Sequence, residues 1–371
     1  MSYLLSSKAD PRDALIALNA VPGLSTRFPT KVMEAGCSPA DLFAISPREI
    51  CARFGIAERV AVNLAAFPLQ HFVREEKERV ARAGGRVITI MDDDYPQRLK
   101  QIPDPPVILY VKGRLPEDDD ALIAVVGARD ASLYGLGLAE QFARRFAELG
   151  VGVISGMARG IDTAAHRGTL AGKGYTLAVL GCGVDIAYPL SNRDLYQSIL
   201  SAGGGVLSEF PMGMRAMDYH FPRRNRIVSG LSWGTLVVEA RARSGALITA
   251  RLALEQGRDV FAIPGPAGSS LSRGTHELIR HGAKLVLFAE DVLEDLPVKR
   301  PGDVPKAAQQ TELFSTPDEE VILNILEDGP RTLDALSLQS GIPVPTVMAL
   351  CLGLLLRKAL KELPGKFYEL S

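Results

Sequence analysis

Little in this chain speaks for metal or redox chemistry. Its four cysteines, Cys37, Cys51, Cys182 and Cys351, lie far apart with no CxxC pair, which counts against a zinc site or a redox dithiol. The five histidines form no HxH or HxxxH pattern, and His276 and His281, five residues apart, would face different sides of a helix. The expectation is no metal and no cofactor. No run approaches the ~20 apolar residues that cross a bilayer. The opening MSYLLSSKADPRDAL lacks a basic stretch followed by an apolar run of signal-peptide length. Together with isolated thiols suited to a reducing compartment, this predicts a cytoplasmic protein with no membrane contact. A Walker loop and a G-x-S-x-G elbow are missing, and the turn GARDASLYGLG departs from G-x-G-x-x-G. Nor is there an excess of either charge: the net value is -1. Any polyanion site must therefore be a local cluster balanced by acid elsewhere.

What is present is 371 residues, 47% of them hydrophobic, enough for two or three domains with sizeable cores. Residues 1–82 read as short helices broken by Val21-Pro22-Gly23-Leu24-Ser25, Gly36 and Gly55. This suits a small helical domain of the SAM or helix-hairpin-helix type, serving either packing or phosphate contact. Between 83 and 296 short β-rich runs alternate with helical stretches. The candidate strands are Arg86–Ile90, Leu122–Val126, Val151–Ile154, Thr176–Leu180, Val206–Leu207, Thr235–Glu239, Val260–Ile263 and Lys284–Val286. Helices are expected at Leu138–Leu149, Asp162–Ala171, Arg193–Ser201 and Ala246–Gln256. Near-continuous apolar strands alternating with helices predict an α/β fold, a Rossmann-like doubly wound, mostly parallel sheet. Residues 297–317 read as a linker. Residues 318–371 read as three helices and a hairpin, a winged-helix-like domain. Its third helix is mostly apolar until Arg357 and Lys358, which suits protein contact or packing better than groove reading.

In an open parallel sheet, ligands sit beyond the carboxyl ends of the strands, and there the chain is rich in glycine, serine and arginine. The expected rim carries Gly127 with Arg129 and Ser132, then Ser155-Gly156 with Arg159-Gly160. It continues through His220 and Arg223-Arg224-Asn225-Arg226 to Arg241, Arg243 and Ser244-Gly245, and on to Pro264-Gly265 and Ser269–Thr275. Glycine admits close approach of a ligand, helix starts offer amides to an anion, and arginine forks match phosphate oxygens. No lysine occurs between Lys173 and Lys284 while arginines are frequent, a bias toward planar, geometry-specific contacts. So many cationic loops exceed the needs of a mononucleotide and suit a polymer tracking along the rim. About half of the arginines are expected to contact it, the rest pairing with Asp162, Glu209 or Glu239. Tyr134, Tyr188, Phe210, Tyr219 and Phe221 either stack on bases or pack beneath the loops. His220 is either a phosphate donor or a satisfied loop histidine.

These segments together resemble the DNA-processing protein A family. The resemblance is carried by Gly127-Ala128-Arg129 with Ser132 and Tyr134-Gly135, and by Ser155-Gly156-Met157-Ala158-Arg159-Gly160-Ile161-Asp162 with Ala165-His166. Gly181-Cys182-Gly183 with Tyr188-Pro189, Phe221-Pro222-Arg223-Arg224-Asn225-Arg226, Val238-Glu239-Ala240, Ser244-Gly245-Ala246-Leu247-Ile248-Thr249-Ala250 and Pro264-Gly265 follow in order, over residues 86 to 296. The resemblance implies a non-enzymatic mediator that binds incoming single-stranded DNA, dimerises through the Rossmann-like domain and loads a RecA-type recombinase in natural transformation. One departure is His276, where the family usually has asparagine. The rival reading is a hydrolase of N-glycosidic bonds on the same scaffold with Glu239 or Asp162 as acid, though the PGGxGTxxE loop of such enzymes is missing.

Overall fold

Leu122–Val126, five buried apolar residues in a row, form an interior strand of the sheet. Alternate side chains of this strand serve different cores. Leu122, Ala124 and Val126 pack with Ile154 on one face, and Ile123 and Val125 pack with Phe142 and Phe146 on the other. Only a strand covered on both faces has this use for an unbroken apolar run. The computed structural model describes residues 9–294, 296, 317–327, 329–356, 360–363 and 367–370. The linker expected at 297–317 falls outside that set apart from Pro317, as do Arg357 and Lys358. The chain forms two compact units, Met1–Pro301 and Gly302–Ser371.

In chain order the first unit begins with α1 (Pro11–Leu18), α2 (Phe28–Glu34), α3 (Pro47–Phe54), α4 (Glu58–Ala65) and α5 (Leu69–Arg82). There follow β1 (Gly85–Thr89), α6 (Gln97–Lys100), β2 (Ile108–Gly113), β3 (Leu122–Val126), α7 (Leu133–Glu148), β4 (Gly152–Ser155), α8 (Ile161–Ala171) and β5 (Thr176–Val179). The remainder is α9 (Arg193–Ser201), β6 (Gly205–Ser208), α10 (His220–Gly230), β7 (Gly234–Val237), α11 (Gly245–Glu255), β8 (Asp259–Ala262), α12 (Arg273–Arg280), β9 (Lys284–Leu285) and α13 (Ala289–Leu293). The nine strands lie in the order β1-β2-β6-β5-β4-β3-β7-β8-β9. From β6 to β9 all neighbours are parallel, whereas β2 joins both β1 and β6 antiparallel. The order reverses at β3, which has β4 on one side and β7 on the other. Leu15, Ile16 and Leu18 of α1 belong to the same core as Ala124, Ile154 and Leu177, so the N-terminal helices cover part of one sheet face.

Several elements differ from expectation. The run Ile108–Gly113, which follows Pro103, Pro105 and Pro106, is a sheet strand. Phe221 to Arg226, expected as a loop, lies on α10; Pro222 falls in the first turn, where its missing N–H costs no helical bond. Helix α7 also starts five residues earlier than Leu138, because the Ser132 hydroxyl accepts from the Gly135 amide (3.0 Å) and caps it. The second unit comprises α14 (Pro317–Glu327), β10 (Arg331–Thr332), α15 (Leu333–Ser340), α16 (Val344–Leu356), β11 (Leu360–Leu363) and β12 (Phe367–Leu370). Its strands are ordered β10-β12-β11, and Ile322, Leu336, Val347, Leu354, Leu360 and Tyr368 share a core. This is a winged-helix arrangement.

Candidate functional site

At the reversal point, the loops leaving β3, β4 and β7 splay apart and leave a crevice of about 430 Å³. Gly127 and Arg129 come from the first loop, Gly156 from the second, and Arg241, Arg243 and Ser244 from the third; Gly245 opens α11. Phe221, Arg224 and Asn225 of α10 form the remaining wall. An adjoining pocket of about 340 Å³ is bounded by Arg129, Arg159, Gly181, Tyr188 and Phe221. The Phe221 ring stacks on Tyr188 at 5.7 Å and lies under the Arg129 guanidinium at 4.9 Å. The helical period explains the sorting within Phe221–Arg226: positions 221, 224 and 225 face the crevice, and 223 and 226 turn the other way.

Two glycines are fixed by this close approach. A Cβ at Gly156 would collide with the Arg224 guanidinium. One at Gly160, whose φ is +78°, would collide with the carbonyl oxygens of Ala128 and Arg129. Gly160 thus serves the turn between β4 and α8. The loop after β8, expected as part of the rim, braces it from behind: the Ala240 amide donates to the Leu271 carbonyl (2.8 Å) and Arg241 donates to the Ser270 hydroxyl (3.2 Å).

Several residues expected to meet a ligand are held by the protein itself. Arg226 is 6% exposed and forks onto Glu209 at 2.8 and 2.9 Å, with Nε donating to the Asp104 carbonyl at 2.8 Å. Arg223 pairs with Glu209 at 3.0 Å and lies over Phe210. Burial opposes ionisation of Glu209, but the Arg226 and Arg223 guanidiniums more than offset it and hold its carboxyl below the ordinary value. His220 is buried, with its ring stacked on Phe210 at 4.1 Å and Nδ1 bonded to the Gly181 carbonyl at 3.1 Å. Buried Ser155 donates to the Val125 carbonyl (2.7 Å). Ser132 holds both oxygens of Glu239, through its hydroxyl at 2.6 Å and its amide at 2.9 Å. The backbone expected to receive a phosphate near the start of α8 already has an anion. The Asp162 carboxylate accepts from the Gly156 and Ala158 amides at 3.1 and 3.3 Å.

Arg224 sits beneath the crevice. It is 4% exposed, donates to the Val179 carbonyl, and has an Nε with no hydrogen-bond partner. Burial draws its proton affinity down, with Asp162 opposing and the nearby Arg129 adding to the effect. Exposed Arg129, Arg159, Arg241 and Arg243 supply the cationic surface, with Asp130 4.0 Å from Arg159. Arg241 and Arg243 are thus prominent in the crevice, and their place just ahead of a helix start was the signal for them.

Below the crevice, fully buried His166 has Nδ1 2.7 Å from the Thr176 hydroxyl. That hydroxyl gives its own proton to the Val153 carbonyl (2.8 Å), so Nδ1 carries the histidine proton and Nε2 is bare. Burial, aided by Arg224, lowers the value from 6.5 to about 3. The unfolded chain then takes up the proton first as pH falls. His166 therefore favours the native state fully above pH 6.5, and that contribution declines by roughly 1.4 kcal/mol per pH unit below it. Urea unfolding from pH 7 to 4.5 is expected to show this slope as the difference between wild type and His166→Asn. The subtraction removes Asp162 and Glu76, whose values burial raises and whose slopes run the other way.

Among the described residues no group of three or more histidine, cysteine or acidic side chains is placed to hold a metal, and no helix is long and apolar enough to cross a membrane. Fold and site together define a Rossmann-like protein with an arginine-lined crevice at its topological switch point. Residues 86–297 match the family model of DNA recombination-mediator protein A, and residues 304–366 that of the DprA winged helix domain. The chain belongs to the DNA recombination-mediator protein A family. It is 42% identical to Protein Smf of Escherichia coli over 324 residues, 85% of each chain. It is 46% identical to the DNA processing protein DprA of Streptococcus pneumoniae over 207 residues, 56% of this chain and 73% of the relative. The X-ray structure of the S. pneumoniae protein superposes with a TM-score of 0.66 at 37% identity, covering 77% of this chain and 99% of that one. A structure of Helicobacter pylori DNA processing protein A, described for its single-stranded DNA binding mode, gives a TM-score of 0.51 at 28% identity, covering 58% of this chain and 99% of that one.

Proposed function

We propose that this chain binds single-stranded DNA along the crevice and acts as a recombination mediator, loading a RecA-type recombinase onto incoming strands during natural transformation. The observation that carries this reading is the convergence of Arg129, Arg241 and Arg243 with buried Arg224 on one rim, beside the start of α11. Phosphates lie against these guanidiniums and the amides near Gly245, with Gly127, Gly156, Asn225 and Ser244 allowing close passage and Arg159 flanking the adjoining pocket. Residues 83–296 are the DNA-binding domain, with 1–82 and 318–371 as accessory domains. The protein works in the cytoplasm as a homodimer through the Rossmann-like domain. Binding without catalysis is supported by the two carboxylates weighed as catalytic acids, since Glu239 is held by Ser132 and Asp162 by backbone amides.

Fluorescence anisotropy with labelled (dT)20 tests the proposal. Affinity is expected to fall linearly on a log–log salt plot, with a slope of about -0.7 for each phosphate engaged. Absence of binding at 50 mM salt, or a flat salt response, sinks it. Release of free base from nucleoside monophosphates would favour the hydrolase reading instead.

A further inference from the structure

The segment between β6 and α10 is gripped from the N-terminal helices. At the end of α1, Asn19 Nδ2 donates to the Glu209 carbonyl at 2.7 Å. From α5, Glu76 Oε1 accepts the Met212 amide at 2.7 Å. Glu76 is 1% exposed, and neither its Oε2 nor the hydroxyl of buried Tyr110 on β2 has a hydrogen-bond partner among the described residues. A carboxyl so withdrawn from water is costly in a helix that already packs on the core through Leu69, Phe72, Val73 and Val80.

What the grip reaches is the crevice wall. Glu209 holds Arg223 and Arg226 of α10 through its carboxylate, and Phe210 stacks on His220 at the start of that helix. From that start, α10 presents Phe221, Arg224 and Asn225 to the crevice. We propose that Asn19 and Glu76 are positioning residues for DNA binding: through residues 209–213 the N-terminal helices set the seat of α10, and with it Arg224. This inference rests on the crevice being the DNA site.

The test uses the whole 371-residue chain, labelled (dT)20 and hydrogen exchange. In Glu76→Ala, exchange at the Met212 amide without DNA is expected to speed about tenfold, as for loss of one buried hydrogen bond. Affinity for (dT)20 at 0.1 M salt is expected to fall about fivefold, with a salt slope shallower by about 0.7 as one phosphate contact is lost. Glu76→Gln keeps an acceptor for the amide and is expected to restore all three readouts, which loss of packing alone would not predict. Asn19→Ala should move affinity in the same direction, and it carries the test if Glu76→Ala does not fold. Unchanged Met212 exchange in Glu76→Ala overturns the grip. Faster exchange with unchanged affinity overturns its link to the crevice, as does unchanged affinity in Asn19→Ala. Failure of the wild-type protein to bind (dT)20 would instead remove the DNA reading, while the exchange data still report the grip.

Discussion

Glu209→Ala is expected to destabilise the first unit by about 3–5 kcal/mol, the usual cost of stranding a buried charge. The carboxylate is 2% exposed and neutralises two guanidiniums, one of them the nearly inaccessible Arg226. Removing it leaves Arg226 with Asp104 as its remaining ion-pair partner, at 3.2 Å. Glu209→Gln should retain part of the hydrogen bonding and lose the charge, and so fall between. The linkage has a defined sign. Because the folded carboxyl sits below its ordinary 4.5, its contribution is complete above that pH and disappears as pH falls toward the depressed native value. Urea midpoints of wild type and Glu209→Ala should therefore converge in acid. A mutant within about 1 kcal/mol of wild type at neutral pH would show that the cluster does not hold α10.

Arg129→Ala combined with Arg243→Ala is expected to produce the largest loss of DNA affinity. The two side chains stand on loops from adjacent strands, on either side of the switch point. Two fewer phosphate contacts lower the salt slope by about 1.4, which corresponds to roughly 25-fold weaker binding at 0.1 M salt and about threefold at 0.5 M. Arg251→Ala is the control, because that side chain is 71% exposed on α11 and pairs with Glu255 of the same helix. Anisotropy titrations across this salt range check the result. Equal slopes in wild type and double variant would place the DNA elsewhere on the molecule.

Much of this architecture was legible in the chain because it is written in local pattern. Apolar runs such as Leu122–Val126 and Thr176–Val179, separated by amphipathic stretches, are strands that must be covered on both faces. The glycine, serine and arginine that follow them then fall at the carboxyl end of the sheet by topology alone. Strand β2 was not legible, since its apolar run follows a proline-rich stretch that reads as loop. Nor was α10, because Pro222 and three arginines mask the helical period.

The sequence by itself determined that a parallel sheet would gather cationic turns along one rim. Only the tertiary structure decided which cations face outward. Arg224 and Arg226 are two residues apart, yet one lies beneath the crevice and the other is locked onto Glu209, 17 residues away in the chain. Asp162, six residues beyond Gly156, likewise occupies amides that a ligand would otherwise meet. The physical reason is that a guanidinium or a backbone amide takes whichever anion the fold brings within about 3 Å, and that proximity follows from packing, not from spacing along the chain.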